Sequence, residues 1–163
     1  TTEIYTLPLH DALPIYDKSG IIFWDIPFAS GKLEVVGMDA EGNQISQYTI
    51  QSSGRPDAIK IISKELKVEK GGVAQIVIQV VDENDTPVML SDNEITCQIN
   101  GDARLLGLEA SNNTDMSDYT DNRHRVYYGR IIAYIKAGEI SGDFSVQFSA
   151  NWLKPGEIKI NVQ

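Results

Sequence analysis

A polar stretch in the second half of the chain, "NNTDMSDYTDNRHRVYYGR" from Asn112 to Arg130, holds the densest set of side chains that could do chemistry. Acidic, amide, aromatic and basic groups follow one another in it: Asp115, Asp118, Tyr119, Asp121, Asn122 and Arg123. Carboxylate and amide oxygens are ligands for Ca²⁺, but an EF-hand loop needs them at alternate positions, with a glycine and a terminal glutamate that this stretch lacks. We therefore predict no metal site and no cofactor, and leave an irregular calcium site as the alternative.

Nucleophilic catalysis has few residues to use. Ser117, Asp121 and His124 lie close in sequence, but a catalytic triad is defined by its geometry. The nucleophile-elbow pattern G-x-S-x-G does not occur. Beyond residue 15, His124 is the only histidine and Cys97 the only cysteine, which disfavours zinc. Cys97 lies in the alternating segment "NEITCQIN" and is predicted to be a small buried side chain. We predict no catalytic residue.

Aromatic side chains offer a second kind of chemistry, because they can stack on sugar rings. The candidates are Trp24, Tyr119, Tyr127, Tyr128, Tyr134 and Trp152. Most of them fit the large inward-facing aromatics of a β-sandwich and are expected to be buried. Tyr119 differs because it lies inside the polar stretch, where no alternation buries it. Since loops carry function disproportionately, we predict a sugar or interdomain contact at Asp115, Asp118, Tyr119, Asp121, Asn122 and Arg123.

The composition narrows the class of protein. The 163 residues carry a formal net charge of −9, which disfavours a nucleic-acid partner because phosphate binding needs clustered Lys and Arg. No apolar run approaches the roughly 20 residues of a membrane-spanning helix, so no membrane partner is predicted. Hydrophobic residues make up 42% of the chain, an ordinary value for a globular protein.

The elements that must position these residues are strands. "VAQIVIQVV" alternates, with Ala74, Ile76, Ile78 and Val80 on one face, and "GDFSVQFSA" and "GEIKINVQ" alternate in the same way. Residues 31–50 are typical of a β-hairpin that turns at Glu41-Gly42-Asn43. No segment of ten residues has a helical period. We predict an all-β protein with an antiparallel immunoglobulin-like β-sandwich, preceded by the last strands of a second, truncated β-sandwich.

The predicted organisation has three parts. "HDALPI", His10 to Ile15, is the translation of one reading frame of a common short-read sequencing adapter, so residues 1–15 are interpreted as an artefact outside the fold. Residues 16–54 are the C-terminal strands of the truncated sandwich, and residues 55–163 are the immunoglobulin-like sandwich, with "SSGRP" as the breaker between them. A truncated sandwich exposes strand edges and apolar faces. Deleting residues 1–54 is therefore expected to give a folded and more soluble domain.

Several segments, in order, resemble the C-terminal region of glycoside hydrolase family 2 enzymes, the β-galactosidase-like group. "FWDIPFASGKLEVVGMDAEGN" resembles the end of a β-sandwich in that family, and "SGRPDAIKI" resembles its linker into the last domain. "VVDENDTPVMLSDNEITCQINGDARLLGLEASN" resembles that domain's "D-x-N/D-G" turn and "V-x-G-x-x-x-L-G-x-x-N" run. Asp85 stands where the turn glycine is usual, and residues 109–112 depart from the commoner Gly-Asn-Gly. "GRIIAY", from Gly129, resembles a subgroup's "G-R-x-x-A-Y".

The resemblance implies a protein without its own catalytic residues, because the family's two glutamates lie on an upstream (β/α)₈ barrel. The implied partner is that missing barrel of the same parent chain, and carbohydrate is a further expected partner. The parent would be a retaining glycosidase acting on β-galactosides, periplasmic or secreted. The alternatives are a freestanding carbohydrate-binding module and an adhesion-type immunoglobulin-like module.

Overall fold

The computed structural model describes residues 15–16, 22–23, 26–39, 41–64 and 67–163. The chain divides into an N-terminal unit, Thr1–Ser52, and a C-terminal unit, Ser53–Gln163. Trp24 and residues 1–14 of the predicted artefact lie outside the described residues. The described residues contain no helix, and therefore none that could cross a membrane.

Two antiparallel strand pairs make up the described part of the N-terminal unit. They are β1 (Ile15–Tyr16) with β2 (Ile22–Phe23), and β3 (Lys32–Met38) with β4 (Gln44–Gln51). The second pair confirms the predicted hairpin. Its turn is closed by the carboxylate of Asp39, whose Oδ1 accepts hydrogen bonds from the backbone N–H of Glu41 at 3.1 Å and of Asn43 at 2.7 Å. Asp and Asn favour such turns because their side chains bond to nearby backbone groups.

The C-terminal unit is a β-sandwich, which confirms the predicted fold class. Its strands are β5 (Ala58–Ile61), β6 (Lys67–Val68), β7 (Val73–Val81), β8 (Glu94–Asn100), β9 (Ala103–Glu109), β10 (Arg123–Arg125), β11 (Arg130–Ala137), β12 (Gly142–Ser149) and β13 (Gly156–Val162). One sheet has the order β10-β8-β12-β13-β6, and the other has the order β5-β7-β11-β9. Neighbouring strands are antiparallel except for the short β6, which pairs in parallel with β13.

The core lies between the two sheets and follows the predicted alternation. Ala74, Ile76, Ile78 and Val80 of β7 are buried, as are alternate residues of β11, β12 and β13. Cys97 is buried among them, and burial raises the pKa of its thiol to about 12. Burying a large aliphatic or aromatic side chain stabilises the fold by roughly 1.5–3 kcal/mol, because it removes apolar surface from water.

The outward face of β7 departs from simple alternation. Gln79 and Val81 point away from the core, yet both are buried. Additional chain covers this end of the sheet: Val81 forms a bridge with Pro87, and the backbone N–H of Val80 donates to the carbonyl of Gly129 at 2.7 Å. This second layer contributes a wall of the cavity described below.

Candidate functional site

In the polar loop between β9 and β10, residues 110–122, the carboxylates mainly accept hydrogen bonds from the backbone of the loop itself. Asp115 accepts the backbone N–H of Ser117 at 2.9 Å, and Asp118 accepts that of Thr120 at 2.8 Å. The hydrogen bond from the Ser117 N–H lowers the pKa of Asp115, and the bonds from the Thr120 hydroxyl and N–H lower the pKa of Asp118, because they favour the ionised form. Each is a local turn in which a side chain replaces a backbone acceptor.

The loop is tied to the sandwich at both of its sides. The N–H of Leu108 donates to the carbonyl of Tyr119 at 2.7 Å, and the N–H of Cys97 donates to the carbonyl of Asn122 at 2.8 Å. Gly107 permits the first contact, because a Cβ there would lie 2.9 Å from the Tyr119 carbonyl oxygen. The loop is therefore an ordered part of the structure.

A serine, a histidine and an aspartate meet at the base of this loop. His124 is buried on β10; its Nδ1 lies 3.1 Å from Ser117 Oγ, and its Nε2 lies 3.7 Å from Asp115 Oδ2. The aspartate that meets His124 is Asp115 and not Asp121. In a catalytic triad the serine bonds to Nε2 and the aspartate to Nδ1, so the two nitrogens are exchanged here. The histidine–carboxylate distance is also too long for a hydrogen bond.

Five of the six predicted contact residues lie in the loop, and Arg123 is the first residue of β10. Their role in binding stays a prediction. Among the described residues, no group of three or more His, Cys, Asp or Glu side chains is arranged to hold a metal ion. Asn122 borders a polar cavity of about 560 Å³ on the first sheet, together with Gln98, Gln147 and Glu157. The cavity on the other sheet is lined by none of the six.

That other cavity, the tyrosine pocket, has a volume of about 480 Å³. It is lined by Val77, Met89, Glu109, Ala110, Ser111, Tyr127, Tyr128, Arg130, Ile131 and Ile132. Val77 and Ile132 are directly paired on adjacent strands, and Glu109 is paired with Ile132 on its other side. Its lining is mostly apolar, with one carboxylate and one guanidinium, the kind of surface that small-molecule sites present.

A two-residue turn forms the wall of the tyrosine pocket. Tyr127 and Arg130 exchange two backbone hydrogen bonds of 3.0 Å, and the two central residues, Tyr128 and Gly129, have φ of +50° and +69°. Positive φ at both central positions is the requirement of a type I′ turn, in which Asn-Gly is the preferred pair. Tyr128 is therefore a bulky residue in a backbone conformation that costs it free energy.

Buried Gln79 holds this turn in place and orients Arg130. Its Nε2 donates to the carbonyl of Gly129 at 3.0 Å, and its Oε1 accepts from Nε of Arg130 at 3.0 Å. Gly129 is needed for this packing, because a Cβ there would lie 2.7 Å from the Gln79 amide nitrogen. The Gln79 side chain thus acts as a fixed support for the pocket wall.

Three of the candidate aromatics correct the expectation of burial. Tyr127, Tyr128 and Trp152 are 38%, 55% and 99% exposed. They are exposed because they lie in turns, and Tyr128 and Trp152 both have positive φ. Tyr134 is half-buried on β11, and Tyr119 is exposed in the loop, as expected.

The tyrosine pocket was not predicted as a site, although part of its signal was visible. "VYYGR" places a glycine between two apolar segments, and glycine is a general turn signal. Glu109 and Arg130 gave no such signal. Their neighbourhood depends on the pairing of β9 with β11, which joins residues that are far apart in the chain.

Comparisons with known proteins agree with the sequence resemblance. Residues 58–159 match the family described as "Glycoside hydrolase family 2 C-terminal domain 5". The β-galactosidase BoGH2A of Bacteroides ovatus is 19% identical over 144 residues, which cover 87% of this chain and 17% of that protein.

Two solved structures share the fold over nearly the whole chain. A β-glycosidase from Bacteroides vulgatus superposes with a TM-score of 0.81 at 26% identity, covering 90% of this chain and 19% of that one. A glycosyl hydrolase family 2 member from Bacteroides cellulosilyticus also gives 0.81, at 21% identity, covering 88% of this chain and 18% of that one. The chain spans about a fifth of the length of these proteins.

Proposed function

Because the chain belongs to the glycoside hydrolase family 2 C-terminal domain 5 family, we propose that it is a non-catalytic accessory region of a larger bacterial glycosidase. The observation that carries this proposal is the family match over residues 58–159, in a chain that spans about a fifth of its relatives. The catalytic carboxylates of the parent would lie on a barrel outside this sequence. The β-galactosidase name of the Bacteroides ovatus relative supports β-galactosides as the parent's substrate class.

The role proposed for the C-terminal unit is to support the barrel and to border its substrate cleft with the loop of residues 110–122. Two features support the loop as that border. It is held at both sides by backbone hydrogen bonds, and it presents Tyr119 to solvent. An ordered polar loop with an exposed aromatic side chain suits contact with a sugar or with a neighbouring domain.

The first test is the activity of the chain itself. The purified 163-residue protein is incubated with p-nitrophenyl β-D-galactopyranoside, and nitrophenol release is followed against buffer. We expect no release above the buffer rate. The matched variant is Ser117→Ala, which removes the hydroxyl beside His124. Hydrolysis by the unaltered chain that Ser117→Ala abolishes would contradict the proposal and would assign the reaction to the serine–histidine pair.

The second test concerns the parent. Long-read sequencing of the source DNA upstream of the codon for Tyr16 should reveal a frame that continues into a (β/α)₈ barrel with two glutamates. In that parent, Tyr119→Ala is expected to raise KM for the galactoside with little change in kcat. The contact that it removes would stabilise the bound substrate and the transition state equally. The control is Trp152→Ala, which removes an exposed aromatic side chain from the turn between β12 and β13. A frame without a barrel would overturn the proposal.

A further inference from the structure

We propose that the tyrosine pocket binds the pyranose ring of a neutral sugar. The pocket lies on the outer face of the sheet β5-β7-β11-β9. Its volume of about 480 Å³ falls within the roughly 300–1,000 Å³ of small-molecule sites.

The aromatic wall is built before any ligand arrives. The rings of Tyr127 and Tyr128 have centroids 4.3 Å apart and are tilted by 59°. Their turn is fixed by the buried Gln79 side chain and by the N–H of Gly129, which donates to the carbonyl of Ser91 at 3.2 Å. A rigid wall loses little conformational freedom on binding, which favours affinity.

The strain at Tyr128 points to a role for its ring. Asn at this position would suit the left-handed backbone better, and Gly would suit it best. Yet the position holds a tyrosine that is 55% exposed and contributes little to the core. Residues kept in unfavourable backbone regions cluster at ligand sites, where the surrounding structure maintains them. Ser111, which also lines the pocket, has positive φ as well, at +60°.

The polar groups of the pocket provide one strong acceptor and one strong donor. Glu109 and Arg130 are diagonal neighbours across Ile132 on adjacent strands. Such pairs are about 7–8 Å apart. Within the described part of the chain, neither side chain takes part in an ion pair. Arg130 uses Nε to bond Gln79, and Glu109 uses Oε1 to accept the N–H of Ser111. The Nη groups and Oε2 are left to meet a ligand between them.

A pyranose matches this combination better than other ligands do. The aliphatic face of the ring packs on the tyrosines and on the floor of Val77 and Ile132, while hydroxyls reach Arg130 and Glu109. A purely apolar ligand would desolvate the two charged groups without hydrogen bonds. A phosphate or carboxylate would be repelled by Glu109 and by the formal net charge of −9. The sugar is therefore assigned as neutral.

The test is a titration of the ¹⁵N-labelled 163-residue chain with methyl β-D-galactopyranoside, methyl β-D-glucopyranoside and methyl α-D-mannopyranoside. At least one of them is expected to shift the amides of Tyr128, Gly129 and Ile132 saturably in the millimolar range. Tyr128→Asn keeps the turn and removes the ring. It should weaken that binding by about tenfold or more, a typical loss for one aromatic contact, without lowering the melting temperature.

The matched control is Gln98→Ala, which alters the polar cavity on the opposite sheet and should bind like the unaltered chain. Failure of all three neutral sugars to shift these amides saturably would overturn the proposal. Saturable shifts confined to Gln98 and its neighbours would also overturn it. Methyl β-D-glucuronide is titrated in the same way, and tighter binding of this anionic sugar would overturn the assignment of a neutral one. Because the test uses this chain alone, its failure leaves the proposed accessory role unaffected.

Discussion

Asp82 shows how one carboxylate organises the junction at the start of the C-terminal unit. It is buried directly after β7, and its two oxygens accept three backbone N–H groups: Gly54 at 2.7 Å, Asn84 at 2.9 Å and Thr86 at 2.8 Å. The bond from Gly54, followed by those from Thr86 and Asn84, lowers the pKa of Asp82. The residue thus closes the turn of residues 82–86 and also fixes the segment that leads into β5.

Asp82→Asn is expected to destabilise the C-terminal unit at neutral pH, because the amide replaces one acceptor oxygen with a donor that faces an N–H. The folded-state pKa of Asp82 lies below the ordinary value of about 3.9. Its contribution is therefore fully present above that value and is lost as the pH falls through the folded-state pKa. Urea unfolding at a series of pH values should show a large difference between variant and unaltered chain at pH 7, shrinking in acid.

The control for this experiment is Asp92→Asn, which removes an exposed carboxylate that faces Arg125 at 3.8 Å. Exposed pairs of this kind contribute about 0–1 kcal/mol. An Asp82→Asn variant as stable as Asp92→Asn at pH 7, or a difference that grows in acid, would contradict the role given to Asp82.

Two residues with positive φ show what sequence patterns can foretell. Asp85, where the family resemblance has glycine, has φ of +64°, and Ser111, within the departure from Gly-Asn-Gly, has φ of +60°. Both positions thus keep the positive φ that glycine favours, although other residues occupy them. Tyr128 could not be foretold in this way, because its conformation depends on the clamp by Gln79, a contact across 50 positions of the chain.

At the scale of elements, Gly107 links the edge strand β9 to the polar loop. An added Cβ would lie 2.9 Å from the carbonyl oxygen of Tyr119 and 3.1 Å from its ring. The same carbonyl accepts the N–H of Leu108, so the loop must approach the strand closely at this point. Backbone on both sides of the contact leaves little room for adjustment.

Gly107→Ala is therefore expected to push the loop away from β9 and to cost about 1–3 kcal/mol, the range for overpacking at a tight contact. Hydrogen exchange at the Leu108 amide should accelerate, because its acceptor moves, whereas exchange in β12 should change only with global stability. Gly54→Ala is the control, since its added Cβ meets Asp82 only at ordinary contact distances from 3.5 Å. Unchanged exchange at Leu108 would contradict this coupling.

Strands were the most predictable elements. The alternation in β7, β12 and β13 identified their buried faces, because the side-chain period of a strand is two residues. Burial of Gln79 and Val81 on the outer face was not foreseeable from period alone, because a layer of turns covers them. The tyrosine pocket was missed for a different reason, because Glu109 and Arg130 become neighbours only through the pairing of β9 with β11.

At the scale of the whole molecule, the two units differ in how they bury apolar side chains. The core cluster of the C-terminal unit lies entirely between Ile59 and Val162. The β3–β4 hairpin of the N-terminal unit instead exposes Met38, Ile45, Tyr48 and Ile50. Exposed apolar strands favour association between chains. The division into a complete sandwich and the end of another stays a prediction.

Removing the N-terminal unit is expected to reduce self-association without unfolding the remainder. The cut belongs before Ser53, because a deletion of residues 1–54 would also remove Gly54, whose N–H bonds Asp82. The fragment 53–163 keeps the whole core cluster, so its melting temperature should stay within about 4 °C of that of the C-terminal transition in the full chain. For a domain of this size, such a shift corresponds to a change of less than about 1 kcal/mol in the free energy of unfolding. Sedimentation velocity at matched concentrations should show fewer oligomers.

The substitution Ile45→Lys in the full chain tests whether the hairpin itself causes association. Ile45 is exposed on β4, so a charge there should reduce oligomers in the same direction as the deletion while leaving the C-terminal transition unchanged. If the fragment is unfolded, the C-terminal unit depends on residues 1–52 in a way that its own core does not explain. If the full chain is already monomeric, its exposed apolar side chains do not drive association.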